Sequence, residues 1–116
     1  MVSKFIISVT HAVEGLGVVL KGHSNFRIHL GLAVIATVLA RSLEFTTFEY
    51  AILTITILLV VMAEIVNTAI EELSDLVTVR WSKHAKVAKD IGAGMVLVVS
   101  IGAAIIGWLL FIPKFY

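Results

Sequence analysis

The sequence predicts an all-α integral membrane protein, with three transmembrane helices preceded by an amphipathic helix on the membrane surface. Three observations predict it. Hydrophobic residues make up 59% of the 116-residue chain, and its mean hydropathy of +1.06 is far above that of a soluble domain. A soluble fold of this size could not hide so much apolar surface, so the surplus must face lipid. Second, the apolar residues gather into three runs, two of them free of charge. Third, the nine Lys and Arg residues are placed unevenly around those runs. The length suits a single domain, 1–116.

The N-terminal segment, about residues 3–22, repeats Phe5, Ile6, Val9, Ala12, Val13, Leu16, Val19 and Leu20 at helical spacing. Lys4, Ser8, His11 and Glu14 interrupt them, which reads as a helix lying in the interface. Thr10, His11 and Glu14 would break the apolar core of a signal peptide, and no cleavage site follows. The first span, 26–43, is the shortest and leans on its flanks at Arg27 and Arg41. The second, 48–75, contains the uncharged stretch Ala51–Ala63 behind Phe48 and Tyr50. The third, 88–112, holds the uncharged run Ile91–Pro113. About 20 apolar residues cross a bilayer core. Gly92, Gly94, Gly102, Ala103, Ala104 and Gly107 in the third span predict close helix packing, with Ala103 and Gly107 as a small-xxx-small pair; the plainer reading is that Gly and Ala are common in membrane helices.

Lys4, Lys21, Arg27, Arg80, Lys83, Lys86 and Lys89 fall on one side of the predicted spans, and Arg41 and Lys114 on the other. This bias predicts a cytoplasmic N-terminus and a cytoplasmic loop between spans two and three. Trp108, Phe115 and Tyr116 would then anchor the opposite face. The net charge of +1 gives no argument for nucleic acid. The absence of cysteine excludes disulfides, thiolate metal sites and a cysteine nucleophile.

Chemistry concentrates in Glu64–Asp90. Glu64, Asn67, Glu71 and Asp75 recur at i, i+3, i+7 and i+11 and share one helical stripe, while Glu72 points away from it. The second membrane helix therefore continues past the membrane surface with a polar seam along one side. Glu64 follows the uncharged stretch directly. A charge at the bilayer centre costs about 2.5–3.5 kcal/mol on insertion scales, so Glu64 sits near the boundary or faces protein. A semi-buried carboxylate there suits a general base; the plainer reading is an acidic helix end reaching for water. Beyond the seam lie Lys83, His84, Lys86, Lys89 and Asp90. Carboxylates hold divalent cations and lysines hold phosphates, which together suggest a nucleotide-metal site. The plainer reading of the lysines is a basic loop drawn to anionic lipid. The four histidines are scattered, and each alone reads as a polar interface residue. No Walker A loop, soluble-kinase signature, HExxH or Ser-His-Asp pattern is present.

Asn25-Phe26-Arg27-Ile28-His29, Glu64-Ile65-Val66-Asn67-Thr68-Ala69-Ile70-Glu71, Asp75-Leu76-Val77-Thr78 and Ala85-Lys86-Val87-Ala88-Lys89-Asp90 resemble the small bacterial lipid kinases, the diacylglycerol and undecaprenol kinases of the prokaryotic type. The resemblance runs from about Ala12 to about Gly107. It implies a homotrimer in the bacterial inner membrane, with active sites between subunits at the cytoplasmic interface and ATP, Mg²⁺ and a lipid alcohol as partners. It gives Glu64 the general base, Glu71 a metal ligand on ATP, Asn67 an orienting role, Lys89 the phosphates and Asp90 the placement of the nucleotide. Two departures matter. His23 stands where most members carry a Glu metal ligand, which favours Mn²⁺ or Zn²⁺ over Mg²⁺. Val79-Arg80-Trp81-Ser82 replaces the usual Pro-Glu-Tyr-His, with Trp81 able to stack on adenine. The competing readings are a diverged, weakly active member serving as a membrane partner, and a small proton-coupled transporter using Glu64 as its relay. A transporter would place the carboxylate mid-span, whereas this seam runs on into the aqueous side.

Overall fold

The computed structural model describes all residues, Met1–Tyr116. Four helices follow one another: α1 (Val2–Gly22), α2 (Ser24–Ser42), α3 (Thr47–Val77) and α4 (Lys83–Phe111), with a short 3₁₀ turn at Ile112–Phe115. There is no strand. At a rise of 1.5 Å per residue, the 31 residues of α3 extend about 46 Å, well beyond a bilayer core of about 30 Å. α3 is one unbroken helix through Glu64, Asn67, Glu71 and Asp75, so the seam lies along its C-terminal half. α4 begins at Lys83 rather than 88, because the Ser82 hydroxyl caps it by accepting from the Ala85 N–H at 3.5 Å.

α3 is the central helix, packed along α4 and, less extensively, along α2. Its apolar face (Leu53, Val60 and Ala63) is buried in the middle of the bundle. Only 12 of 116 residues are buried, so most of the apolar side chains must meet lipid or another subunit.

By length and composition, three helices can cross a membrane: α1, α3 and α4 with its 3₁₀ extension. The sequence expectation placed α2 in the membrane and α1 on its surface. Composition reverses these two because Ser24, Asn25, Arg27, His29 and Arg41 dilute α2, whereas α1 keeps a mean hydropathy of 1.4. Packing treats the two helices differently. α2 is buried near both ends, at Phe26 and Ala40, so it follows α3 over its length. α1 buries Val19 alone, and touches α3 through a shallow groove in which Leu16 and Val19 face Ile65 and Ala69.

The corner between α1 and α2 is a single extended residue, His23, at φ −125° and ψ 109°. Arg27 pins it: its guanidinium donates to the carbonyls of Leu20 at 3.0 Å and Lys21 at 2.9 Å. These are terminal carbonyls of α1 with no partner inside the helix, and a cation is the favourable group there.

Within one chain, Gly107 makes no close helix approach. A methyl group on Gly107 would meet nothing within 4 Å, and the same holds at Gly94 and Gly102. The tight approach is at Gly92, where a Cβ would strike the Oδ1 of Asn67. Ala103 and Gly107 instead line a groove of about 290 Å³ where α2 and α4 diverge on either side of α3.

Candidate active site

The stripe predicted from spacing exists on α3, and its three carboxylates each face a partner on a different element. Glu64 is its deepest member, 3% exposed. His29 of α2 faces it, with Nε2 3.1 Å from Oε1. The ring N–H is not aimed along that line, so Oε1 is buried without a hydrogen bond. A buried carboxylate oxygen without a donor is costly, and such groups concentrate where a ligand or a reaction needs them.

One turn further, Asn67 donates to Glu71 Oε1 at 3.2 Å. Its own Oδ1 is buried and unpaired, pressed against Gly92. Glu71 turns its second oxygen to His23, with Oε2 3.6 Å from Nδ1. The α1–α2 corner thus delivers His23 to the carboxylate that the resemblance makes a metal ligand. Asp75, the last member of the stripe, holds Lys89 of α4 at 2.5 Å. Lys86 and Asp90 pair along α4 at 2.6 Å.

Where α3 gives way to α4, a polar cleft of about 460 Å³ opens. Asp75, Arg80, Trp81, Lys86, Lys89 and Asp90 line it. Thr78 shapes the turn by accepting from the Arg80 N–H at 3.2 Å. Trp81 is largely exposed.

The structure therefore brings the predicted residues together in two tiers. Glu64, Asn67, Glu71 and His23 form the lower tier, nearer the middle of α3. Lys89, Asp90 and Trp81 form the upper tier in the aqueous cleft. Sequence reasoning missed two contributors. Arg80 was counted only as a loop charge, yet it lines the cleft. His29 was set aside as an isolated histidine, yet it touches Glu64; the signal was its place inside the Asn25–His29 motif, on the helix next to the seam.

A metal is testable against these residues. No group of three or more His, Asp or Glu converges in the single chain. Two donors do converge, Glu71 Oε2 and His23 Nδ1, with the unpaired Asn67 Oδ1 one turn away. That set suits a cation that takes one or two protein ligands and completes its shell with phosphate oxygens and water. The nitrogen donor suits Mn²⁺ better than Mg²⁺.

Comparison with known proteins completes the picture. Residues 10–111 match the family model of prokaryotic diacylglycerol kinase. A diacylglycerol kinase of Synechocystis is 38% identical over 110 residues, covering 93% of this chain and 62% of that relative. An undecaprenol kinase of Bacillus subtilis is 34% identical over 112 residues, covering 97% of this chain and 91% of its own length. The chain thus spans less than two thirds of the first relative and nearly all of the second.

Proposed function

The chain belongs to the prokaryotic diacylglycerol kinase family, and on that premise we propose that it transfers the γ-phosphoryl group of ATP to the hydroxyl of a membrane lipid alcohol. The observation that carries this reading is Glu64: a buried carboxylate with an unpaired oxygen, placed between an apolar groove and a basic cleft.

In the proposed reaction the lipid hydroxyl attacks the γ-phosphorus while Glu64 takes its proton. The bond from the γ-phosphorus to the bridging oxygen breaks, and ADP leaves with the electron pair. Phosphoryl transfer needs positioning and charge neutralisation more than covalent chemistry. Lys89, Lys86 and Arg80 supply cationic donors to the phosphates. In exchange Lys89 leaves Asp75, and Lys86 leaves Asp90. Trp81 stacks on the base, and Asp90 places the nucleotide. Glu71 and His23 would hold the divalent cation, with Asn67 orienting Glu71. When bound, that cation neutralises phosphate charge.

The same reading sets the topology. α2, α3 and α4 cross the bacterial inner membrane and α1 lies on its cytoplasmic face, which fits the burial of α2 at both ends and of α1 at Val19 alone. The N-terminus is cytoplasmic on the basic-residue bias. Three subunits assemble, which accounts for the large apolar surface left uncovered in one chain, and the active site is completed between them.

The test is transfer of labelled phosphate from ATP to undecaprenol and to a short-chain diacylglycerol, in Mg²⁺ and Mn²⁺, with Glu64→Gln as control. Product that disappears in the variant supports the reading, and the preferred alcohol identifies the substrate. No product with either alcohol from folded protein overturns it. His23→Glu sharpens the metal assignment: activity in Mg²⁺ should rise several-fold and the Mn²⁺ advantage should shrink. An unchanged Mg²⁺/Mn²⁺ ratio would remove His23 from the metal site.

A further inference from the structure

We propose that His29 is a positioning residue for Glu64: its Nε2–H donates to Glu64 Oε1, holding the carboxylate oriented so that Oε2 takes the proton of the attacking hydroxyl. The inference rests on the kinase reading above and adds a residue to it.

Two carboxylates of α3, Glu64 and Glu71, lie two helical turns apart, and each meets a histidine from the chain segment that leads into and along α2. The two pairs differ in surroundings. His23 and Glu71 have side chains 25% and 36% exposed, at the edge of the aqueous cleft. His29 and Glu64 are 23% and 4% exposed, at the head of the apolar groove. In apolar surroundings a carboxylate keeps its charge only if a donor or a cation faces it. Glu64 has one candidate for that donor. Thr68 gives its hydroxyl to the Glu64 backbone carbonyl at 2.9 Å, not to the carboxylate. α4 faces the groove with Ser100, whose hydroxyl is itself unpaired, and carries no ionisable group between Asp90 and Lys114. On α2, Arg27 is committed to the α1 carbonyls. At the end of α1, Lys21 takes part through its carbonyl alone. Glu64 is thus the ionisable group that His29 meets on α3, and His29 the one Glu64 meets on α2.

The distance of 3.1 Å is already that of a hydrogen bond, and only the direction of the N–H is off. Catalytic hydrogen bonds are often misaligned before substrate binds and tighten afterwards. The assignment also fixes the ring: Nε2 carries the proton and Nδ1 does not. The pH dependence of the rate therefore reports on the pair rather than on either residue alone.

Two measurements on the full chain in lipid nanodiscs test this. The first is kcat against pH for wild type, His29→Gln and His29→Leu. Gln places an amide N–H near the position of Nε2 and cannot titrate. It should keep kcat within about 10-fold and move the acid limb by at least 0.5 pH unit. Leu should lower kcat about 100-fold, the low end of what a general base contributes, with the KM for ATP unchanged. Wild-type kcat and an unmoved acid limb in both variants would overturn the proposal. The second is ¹⁵N NMR of histidine-labelled protein, with His29→Gln assigning the signal. It should show neutral His29 protonated at Nε2, and that preference should be lost in Glu64→Leu. A proton on Nδ1 would overturn the proposal even if His29→Leu fails to fold. Wild type inactive toward both lipid alcohols, yet with Nε2 protonated, would count against the kinase reading while leaving the His29–Glu64 hydrogen bond standing.

Discussion

The two ends of the bundle are built on opposite terms. At the Phe45 end, polar and apolar groups alike find partners. Phe45 is buried with Ala40, Leu53 and Leu110, and its ring meets Tyr50 edge-on at 5.9 Å and Phe111 at 4.8 Å. Lys114 reaches across from beyond α4 to Glu49 at 2.9 Å and sits 5.3 Å over the Phe45 ring. Glu49 also closes a capping box, accepting from the Thr46 N–H at 2.7 Å while the Thr46 hydroxyl accepts from the Glu49 N–H at 3.2 Å. At the Glu64 end, three buried polar atoms, on Glu64, Asn67 and Ser100, have no hydrogen-bond partner. One end spends its interactions on holding α2, α3 and α4 together. The other leaves them open, as a site that must accept a substrate requires. Substitutions at the first end should cost stability, and substitutions at the second should cost activity.

The sharpest break between the ends is Glu64→Gln. It removes the proposed base without changing volume, so phosphoryl transfer should fall about 10²–10⁴-fold. The thermal midpoint should hold, because the amide keeps the volume and leaves an oxygen within reach of His29 Nε2. A large drop in midpoint together with activity would mean that Glu64 is a structural carboxylate after all, and the contrast would fail at its strongest point.

Phe45→Ala is the mirror experiment. Truncating a packed aromatic costs about 3 kcal/mol, and here it also strips the ring from under Lys114. The midpoint of unfolding in detergent should drop by several degrees. Activity of the protein that remains folded, assayed well below that midpoint, should stay within about twofold. A loss of activity beyond the loss of folded protein would show that the two ends are coupled.

Gly92→Ala tests the Glu64 end without touching a charge. Alanine in a helix is favoured over glycine by up to about 1 kcal/mol, so stability should not fall. The new methyl group would displace Asn67 Oδ1, and the hydrogen bond from Asn67 to Glu71 would be lost with it. Activity should drop about 10-fold, chiefly in the response to divalent cation. Undiminished activity would mean that Asn67 has room to move and does not orient Glu71.

The sequence made some of this legible and hid the rest for definite reasons. The stripe of Glu64, Asn67, Glu71 and Asp75 depends only on helical period, and α3 is one unbroken helix, so spacing sufficed. Asp75 and Lys89 were legible as an acidic seam followed by a basic segment, and their pairing follows from the short connection between α3 and α4. The contact of His29 with Glu64 depends on the register of α2 against α3, which the corner at His23 and the Arg27 bonds set; no local pattern encodes it. Gly92 was read as one small residue among many, because which glycine meets a neighbour depends on the same kind of register. Composition ranks α1 above α2 as a membrane span, whereas α2 is buried at two positions and α1 at one. Glu49 and Lys114, 65 residues apart, are joined because two antiparallel helices end at one level.

The smallest effect belongs to Glu44, and it bears on how the Phe45 end closes. Glu44 follows α2 at φ 53°, in the left-handed region where helices usually place glycine. The reason is visible in the bonds around it: the Phe45 N–H reaches back to the Ala40 carbonyl at 3.1 Å, which turns the chain sharply and drops the Phe45 ring into the core. Glutamate has no compensating side-chain bond there that would favour this conformation, and an L-residue in it costs about 1–2 kcal/mol. Glycine removes that strain but makes the unfolded chain more flexible, which takes back about 0.4–1 kcal/mol. Glu44→Gly should therefore stabilise by about 0.5–1 kcal/mol, seen as a rise of a few degrees in the unfolding midpoint, with kcat and KM unchanged. Glu44→Ala, which keeps the strain, should show no such gain. A fall in the midpoint with glycine would mean that the entropy of the loop outweighs the strain, and that the turn is held by the burial of Phe45 rather than merely permitted by it.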